Sequence, residues 1–436
     1  MKKKISVGLL GLGTVGSGVY QIIKEHQEDL VHQLGYGVLV KRILVSDMSK
    51  ERDVRVDSGL LTATPEDVLN DPEIDIIIEV MGGIDDTRGH ILNAFKAKKH
   101  VVTANKDLMA LHGSELQDAA IQNGCDLFYE ASVAGGIPIV RGIAEGLVPD
   151  QIQKIMGIVN GTTNYILTKM DDEGVSFEDA LKEAQELGFA EADPTGDVEG
   201  LDASRKMAIL ARMAFSIPFD LNDVETCGIS SLDLADLQFG KELGLTMKLI
   251  GFAHFQDNQI EVSVQPTFLP EKHPLAAVKN ENNAIYVNGK AVGETMFYGP
   301  GAGSLPTATA VMSDVTAVIK NMLLDANGRQ SVTPRFEKVL KMPDQRFGNY
   351  YVRMHVRDEV GAFTTISSIF NSLAISFERI LQVPIKGNAQ NELAEVIVIT
   401  HETTLEKINS ALTDLQYADV VEEVKSYYRI EGGFDR

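Results

Sequence analysis

The sequence predicts an α/β chain built from consecutive units, and three observations carry that prediction. Short apolar strands alternate with amphipathic helices over residues 5–130, an order that implies a parallel sheet with helices on both faces. After about residue 135 the alternation gives way to mixed helix and strand segments of an α+β kind. Beyond residue 350 the order becomes β-α-β-β-α-β, that of a ferredoxin-like unit of about 80 residues.

The elements follow in chain order. Residues 5–10 (ISVGLL) form a strand that enters Gly11-Leu12-Gly13-Thr14-Val15-Gly16. A helix follows, with Val15, Val19, Ile22 and Ile23 on one face. Strands are expected at 38–45, 75–80, 100–103 and 126–130, with helices at 87–97 and 115–122. In the second unit a strand is expected at 153–157 and helices at 177–187 and 201–215. Further strands are expected at 248–254, 261–265, 284–287 and 294–298. Gly299-Pro300-Gly301-Ala302-Gly303 then introduces an apolar helix that runs to about Leu324. Residues 326–349 lack sustained periodicity and read as a linker. The last unit has strands at 350–356, 376–383, 394–400 and 420–428, and helices at 364–373 and 404–415. These readings divide the chain into 1–135 (completed by 301–325), 136–300, the linker 326–349, and 350–436.

Composition narrows the function. An apolar fraction of 44% and a charged fraction of 23% are ordinary globular values and exclude a disordered or fibrous chain. With 62 acidic and 40 basic residues, the net charge of −22 repels phosphate backbones and anionic lipids. General nucleic-acid or membrane binding is therefore not expected, although a local basic pocket for a nucleotide is allowed. Cys125 and Cys227 cannot make a disulfide framework, so a reducing cytoplasm is the expected location. Met1-Lys2-Lys3-Lys4 before an apolar run has the outline of a signal peptide. The run is short and broken by Gly8, Gly11 and Gly13, so a buried first strand is the better reading. No stretch reaches the roughly 18 apolar residues of a membrane helix.

Gly11-x-Gly13-x-x-Gly16 lies between a strand and a helix, the context of a dinucleotide site. Gly11 permits the tight turn, Gly13 lets backbone approach a pyrophosphate, and Gly16 lets helix and strand pack closely. The helix N-terminus, with Thr14 and Val15, offers free N–H groups to phosphate. At the end of the second strand, Asp47 would favour NAD through a ribose hydroxyl. Lys50 and Arg52 would favour NADP through a 2′-phosphate, and the balance leans to NADP. A solvated charged loop over 47–53 is the alternative.

Two lysines carry the chemistry. Lys106 follows Thr103-Ala104-Asn105 directly after a strand, where the carboxyl ends of strands line a ligand crevice. Lys206 lies four residues after Asp202 on one helix face, so the carboxylate can orient the ammonium. The loop before that helix crowds Glu191, Asp193, Asp197 and Glu199, a poor packing loop but a good rim for an amine. An acylating dehydrogenase would need an activated cysteine. Neither Cys125, in Asn123-Gly124-Cys125-Asp126, nor Cys227 has such surroundings. A non-catalytic amino-acid sensor is the remaining rival.

The stretch Gly188-Phe189-Ala190-Glu191-Ala192-Asp193-Pro194-Thr195-Gly196-Asp197 through Lys206 resembles the signature of homoserine dehydrogenases. Other blocks of that family stand in order: 11–16, Thr103 to Lys106, Glu130-Ala131-Ser132-Val133-Ala134-Gly135-Gly136-Ile137-Pro138, Asn160-Gly161-Thr162-Thr163-Asn164, and 299–303. The resemblance covers about residues 5–325. It implies a Rossmann-type NAD(P)-binding domain, an α+β catalytic and dimerisation domain, and reversible oxidation of L-homoserine to L-aspartate 4-semialdehyde on the route to threonine and methionine. Lys206 is then the proton donor in aldehyde reduction, Asp202 orients it, and Lys106 binds substrate or cofactor and shares the proton work. Glu191 and Asp197 face the α-ammonium of homoserine. Gly188, Thr103 and Gly303 join the cofactor set. Backbone carbonyls of Glu130, Val133, Gly135 and Ile137 hold a sodium ion. A homo-oligomer, dimer or tetramer, is implied through the sheet of the middle domain.

Residues 350–429 resemble an ACT domain, a module that binds amino acids. L-threonine is the implied regulator, at the turn Arg357-Asp358-Glu359-Val360-Gly361-Ala362-Phe363. Relatives often carry Pro-Gly where this chain has Val360-Gly361, and loss of the proline relaxes the turn. Deletion from about residue 345 is expected to leave an active but threonine-insensitive enzyme.

Overall fold

Val7, Leu9 and Leu10 are fully buried, so β1 (Lys4–Leu10) has apolar neighbours on both faces and takes the centre of a parallel sheet. The computed structural model describes residues 4–52, 54–329, 334–385 and 393–433. Met1, Lys2 and Lys3, one position of the charged loop 47–53, part of the linker 326–349, and residues 386–392 and 434–436 of the last unit lie outside the described residues.

Around β1 stand β2 (Gly37–Leu44), β3 (Leu61–Thr62), β4 (Ile76–Glu79), β5 (His100–Thr103) and β6 (Leu127–Phe128), in the order β3-β2-β1-β4-β5-β6. All their pairings are parallel. The order reverses direction at β1 and β4, where the carboxyl ends of strands open a crevice. Helices cover both faces. Helix Ser304–Leu323 comes back from far along the chain to pack Val311, Val315 and Val318 against the face that carries Val7 and Leu9. At its C-terminal end, Asn321, with Asn327 and the N–H of Gly328 just beyond, donates to the Asp126 carboxylate, tying this return to the start of β6. This is an α/β fold with a Rossmann-like sheet.

The second sheet is mixed. Its strands are β7 (Ile152–Ile158), β8 (Glu225–Thr226), β9 (Leu245–Gln256), β10 (Gln259–Pro270), β11 (Asn282–Gly289) and β12 (Gly293–Pro300). To these are added β13 (Phe347–Arg357), β14 (Phe377–Pro384), β15 (Leu393–Thr400), β16 (Thr403–Thr404) and β17 (Val421–Ile430). The main path runs β12-β11-β7-β9-β10-β17-β13-β15-β14, with β8 beside β10 and β16 beside β13. The helices Gly161–Glu173 and Leu201–Phe215 pack on the face that carries Ile155, Val159, Ile285 and Val287.

Three features depart from the sequence reading. The helix expected at 115–122 begins at Lys106, because Asn105 caps it: Asn105 Oδ1 accepts the N–H of Leu108 at 3.0 Å. Residues 161–173 form a helix where the glycine and threonines of 161–163 disfavour one, because Asn160 Oδ1 accepts the Thr163 N–H at 2.9 Å. The described part of 326–349 is docked along the second unit. The N–H groups of Arg335 and Phe336 both donate to Ser216, Leu340 bridges to Ile260, and Lys338 pairs with Asp220 and Asp223.

The C-terminal β-α-β-β-α-β order, apart from the short β16, continues the second sheet through a short parallel pairing. Thr267 and Phe268 of β10 pair in parallel with Arg429 and Ile430 of β17. Two buried polar groups flank it. Arg429 pairs with Glu261 and Glu431. Asp236, with no exposure, accepts from Arg353 Nε at 2.6 Å, Ser426 Oγ at 2.6 Å, Tyr351 at 3.1 Å and Tyr428 at 3.2 Å.

Candidate active site

The glycine turn has the geometry its spacing implies. Gly11 has φ +102°, and a Cβ there would lie 2.8 Å from Met81 Cα. A Cβ on Gly16 would lie 2.3 Å from the Gly11 carbonyl, whereas one on Gly13 would meet nothing within 4 Å among the described residues. The turn is closed on the protein side at Gly11 and Gly16 and open at Gly13, where a pyrophosphate can approach. Helix Thr14–Glu25 starts there, and Ser304 Oγ donates to the Thr14 carbonyl at 2.7 Å. At the far edge, the Asp47 carboxylate is occupied by the N–H and hydroxyl of Ser49 at 2.8 and 2.6 Å. Those bonds hold its pKa below the usual range. Arg52 donates to the carbonyls of Asp47 and Lys50.

The crevice between the sheets brings the two lysines to one carboxylate. Lys106, in the first turn of its helix, pairs with Asp202 Oδ1. Lys206 donates to Asp202 Oδ2 and to the Val159 carbonyl, both at 2.6 Å. Asn160 Nδ2 bridges Asp202 Oδ2 at 2.9 Å and Asp197 Oδ1 at 2.7 Å, and the Thr162 hydroxyl reaches Asp197 Oδ2 at 3.2 Å. The side chains of Asp202 and Lys206 are 7% and 11% exposed, whereas that of Lys106 is 38% exposed. Burial alone would raise the Asp202 pKa, but the two ammonium groups overcome it and hold the group well below the carboxylate range. Burial likewise opposes the charge on Lys106, and Asp202 more than offsets it, so its pKa is raised.

Glu191 stands on the exposed loop before this cluster, and its carboxylate has no partner among the described residues. Gly188 and Gly303 both have positive φ, +78° and +124°. In the segment 130–137, Ala134 and Gly135 are both left-handed, and the buried carbonyls of Val133 and Gly135 accept no hydrogen bond among the described residues. The Glu130 carboxylate itself is turned to the N–H groups of Val140 and Arg141. Burial pushes the Cys125 thiol up to about 11, and Cys227 is also raised, chiefly by burial, so neither is poised as a nucleophile.

Sequence reasoning missed Glu79 and, although 160–164 is one of the family blocks, assigned no role to Asn160 or Thr162. Glu79 is fully buried and accepts from Met81 N, Gly82 N and the Thr103 hydroxyl, setting the turn that faces Gly11. Its only sequence signal is a carboxylate at the end of an otherwise apolar strand. Asn160 carries the signal of a helix cap, which says nothing of its bridge between Asp197 and Asp202.

Residues 138–316 match the family model described as homoserine dehydrogenase, and residues 11–130 match that of the homoserine dehydrogenase NAD-binding domain. A homoserine dehydrogenase of Bacillus subtilis (strain 168) is 57% identical over 430 residues, covering 99% of each chain. The chain belongs to the homoserine dehydrogenase family. It is an NAD(P)-dependent oxidoreductase acting on CH–OH, which interconverts L-homoserine and L-aspartate 4-semialdehyde. The crystal structure of a homoserine dehydrogenase from Thiobacillus denitrificans superposes with a TM-score of 0.92 at 39% identity over 98% of both chains. A hyperthermophilic archaeal homoserine dehydrogenase in complex with NADPH gives a TM-score of 0.61 at 27% identity, over 74% of this chain and 99% of that one.

Proposed function

We propose that the Asp202 cluster is the proton-handling centre, with Lys206 as the acid in aldehyde reduction and the base, once neutral, in alcohol oxidation. The supporting observation is how its protons are spent. An ammonium has three N–H donors, and Lys206 commits two, to Val159 and Asp202. One remains for the substrate oxygen. Lys106 is ion-paired with Asp202 and stays partly exposed, so it binds substrate or cofactor and shares the proton work. NAD(P), when bound, exchanges a hydride with the substrate carbon. In reduction, Lys206 gives its free proton to the carbonyl oxygen as the carbon gains hydride; in oxidation, the neutral amine takes the hydroxyl proton. Glu191, with its free carboxylate, takes the α-ammonium. Asp197 already serves Asn160 and Thr162 and adds charge to the same rim.

Gly11, Gly13, Thr14, Val15 and Gly16 would hold the pyrophosphate, with Thr103, Lys106, Gly188 and Gly303 along the rest of the cofactor. NADP is favoured over NAD because Asp47 is engaged by Ser49 while Lys50 and Arg52 lie beside it. The two donor-free carbonyls of Val133 and Gly135, with those of Glu130 and Ile137, suit a hard monovalent cation such as sodium. The C-terminal unit is read as an ACT domain that senses L-threonine, and the chain as a homo-oligomer, with Met296 and Tyr298 exposed on the edge strand β12. Asp358 accepts from Gln382 at 3.2 Å on the ligand turn.

The test follows absorbance at 340 nm with homoserine and NADP+, then with NAD+, for wild type and Lys206→Ala. Wild-type turnover lost in the variant, with NADPH still bound, supports the assignment. Near-normal kcat in the variant removes Lys206 from it. Threonine at millimolar concentration should lower the rate; no change in rate or Tm would leave the C-terminal unit a structural one.

A further inference from the structure

Asn283 is the second residue of β11, and its backbone pairs with Gly299 of β12. Alternation along the strand places its side chain on the face of Ile285 and Val287, the face toward the helices and the catalytic cluster. Ala284 pairs with Ile158, so Asn283 stands one step further, beside Val159, whose carbonyl holds the Lys206 ammonium. The residue is 1% exposed, and among the described residues neither its Nδ2 nor its Oδ1 has a hydrogen-bond partner. Buried carboxamides are ordinarily satisfied at both ends, and one left unmade is costly.

What lies against it is the crossing 299–303 that leads back to the nucleotide unit. A Cβ on Gly301 would fall 2.1 Å from Asn283 Nδ2, so the crossing runs directly over the carboxamide. The Gly301 carbonyl lies in turn 2.4 Å from where a Cβ of Gly135 would be, which places the other crossing, 133–138, on top of the first. Among the described residues the backbone N–H groups of Gly301 and Ala302 also meet no acceptor. Free donors and a free acceptor therefore adjoin without being joined. Two residues on, Gly303 leads into the helix whose first residue, Ser304, is bonded to the nucleotide turn at Thr14.

We propose that Asn283 is a positioning residue whose carboxamide takes up the peptide groups around Gly301 when the cofactor is bound, setting Gly303 against the nucleotide. The inference rests on the cofactor placement proposed above. It accounts for a polar group kept under the crossing at a cost to the unliganded fold, because the bond is made in the loaded enzyme. Gly301 has to be glycine for the crossing to lie this close.

The test compares Asn283→Leu and Asn283→Ala with wild type by thermal melting with and without NADPH, and by steady-state kinetics. The expected result is an unliganded Tm at or above wild type for Asn283→Leu. With it go a smaller NADPH-induced Tm shift and an NADPH KM raised about tenfold, the effect of one lost hydrogen bond. Gly301→Ala should weaken NADPH in the same way, and Asn283→Ala/Gly301→Ala should be no worse than Asn283→Ala alone. An unliganded Tm that falls in both Asn283 variants, with NADPH shift and KM unchanged, would make the carboxamide a partner of the resting fold and overturn the proposal. Wild-type protein that fails to bind NADPH would instead bring down the cofactor placement on which it rests.

Discussion

Two aspartates, Asp202 and Asp236, are almost wholly withdrawn from water, and their partners could hardly differ more. Asp202 holds two flexible ammonium groups, Lys206 from its own helix and Lys106 from the opposite unit, and one of these keeps a solvent-facing side. Asp236 holds a guanidinium, two phenols and a hydroxyl, each contributed by the C-terminal unit. A carboxylate shared by mobile lysines can release and regain a proton donor. A carboxylate saturated by groups fixed on strands acts as a rivet. Burial is common to both; the proton-transfer chemistry of the partners separates the proposed reaction centre from a joint.

The sharpest way to break this contrast is Lys206→Ala. It should lower kcat by about 10²–10⁴-fold, the usual contribution of a general acid or base, while NADPH binding measured by fluorescence persists. At Asp236 the effect should fall on stability. Arg353→Met strips its cation from that buried carboxylate and should cost about 3–5 kcal/mol in urea unfolding, with kcat of the folded fraction near wild type. If Arg353→Met instead abolished turnover at unchanged stability, the rivet reading would fail.

The same joint revises what truncation should do. A chain ended near residue 345 loses Tyr351, Arg353, Ser426 and Tyr428, which hold the Asp236 carboxylate, and also Arg429, which pairs with Glu261. Such a fragment should be poorly soluble or lowered in Tm; a fully stable, active fragment would show the joint to be dispensable.

Smaller effects sharpen the other side. Glu191→Ala should raise the homoserine KM roughly tenfold, as expected for a lost charge-assisted hydrogen bond, and leave the NADP+ KM unchanged. The smallest concerns acid. The folded pKa of Asp202 lies below its ordinary value near 3.8. Its stabilising contribution is complete above that ordinary value and is lost as the pH falls through the folded one. Asp202→Asn should therefore flatten the decline in Tm below about pH 4; an unchanged slope would mean that the two lysines do not hold the carboxylate ionised.

Much of this was legible because it is local. The glycine spacing 11–16, the alternation of strand and helix to residue 130, and the Asp202–Lys206 pair each depend on residues a few positions apart. Backbone periodicity translates that spacing directly into geometry. The full helices starting at Lys106 and Gly161 are not legible in sequence because glycines and threonines weaken propensity, while capping by Asn105 and Asn160 decides the outcome.

By itself, then, the sequence determined the nucleotide turn, the acidic loop, one lysine with its carboxylate, and the order of elements in the C-terminal unit. Only the tertiary structure brought Lys106 to the same carboxylate, joined β17 to β10 to make one continuous sheet, and set Asn283 beneath Gly301. Arg353 and Asp236 meet across 117 positions of chain, and Arg429 and Glu261 across 168. No periodicity spans such distances. These contacts are fixed by strand register and by the packing of one unit on another, which a residue pattern constrains only after the fold has closed.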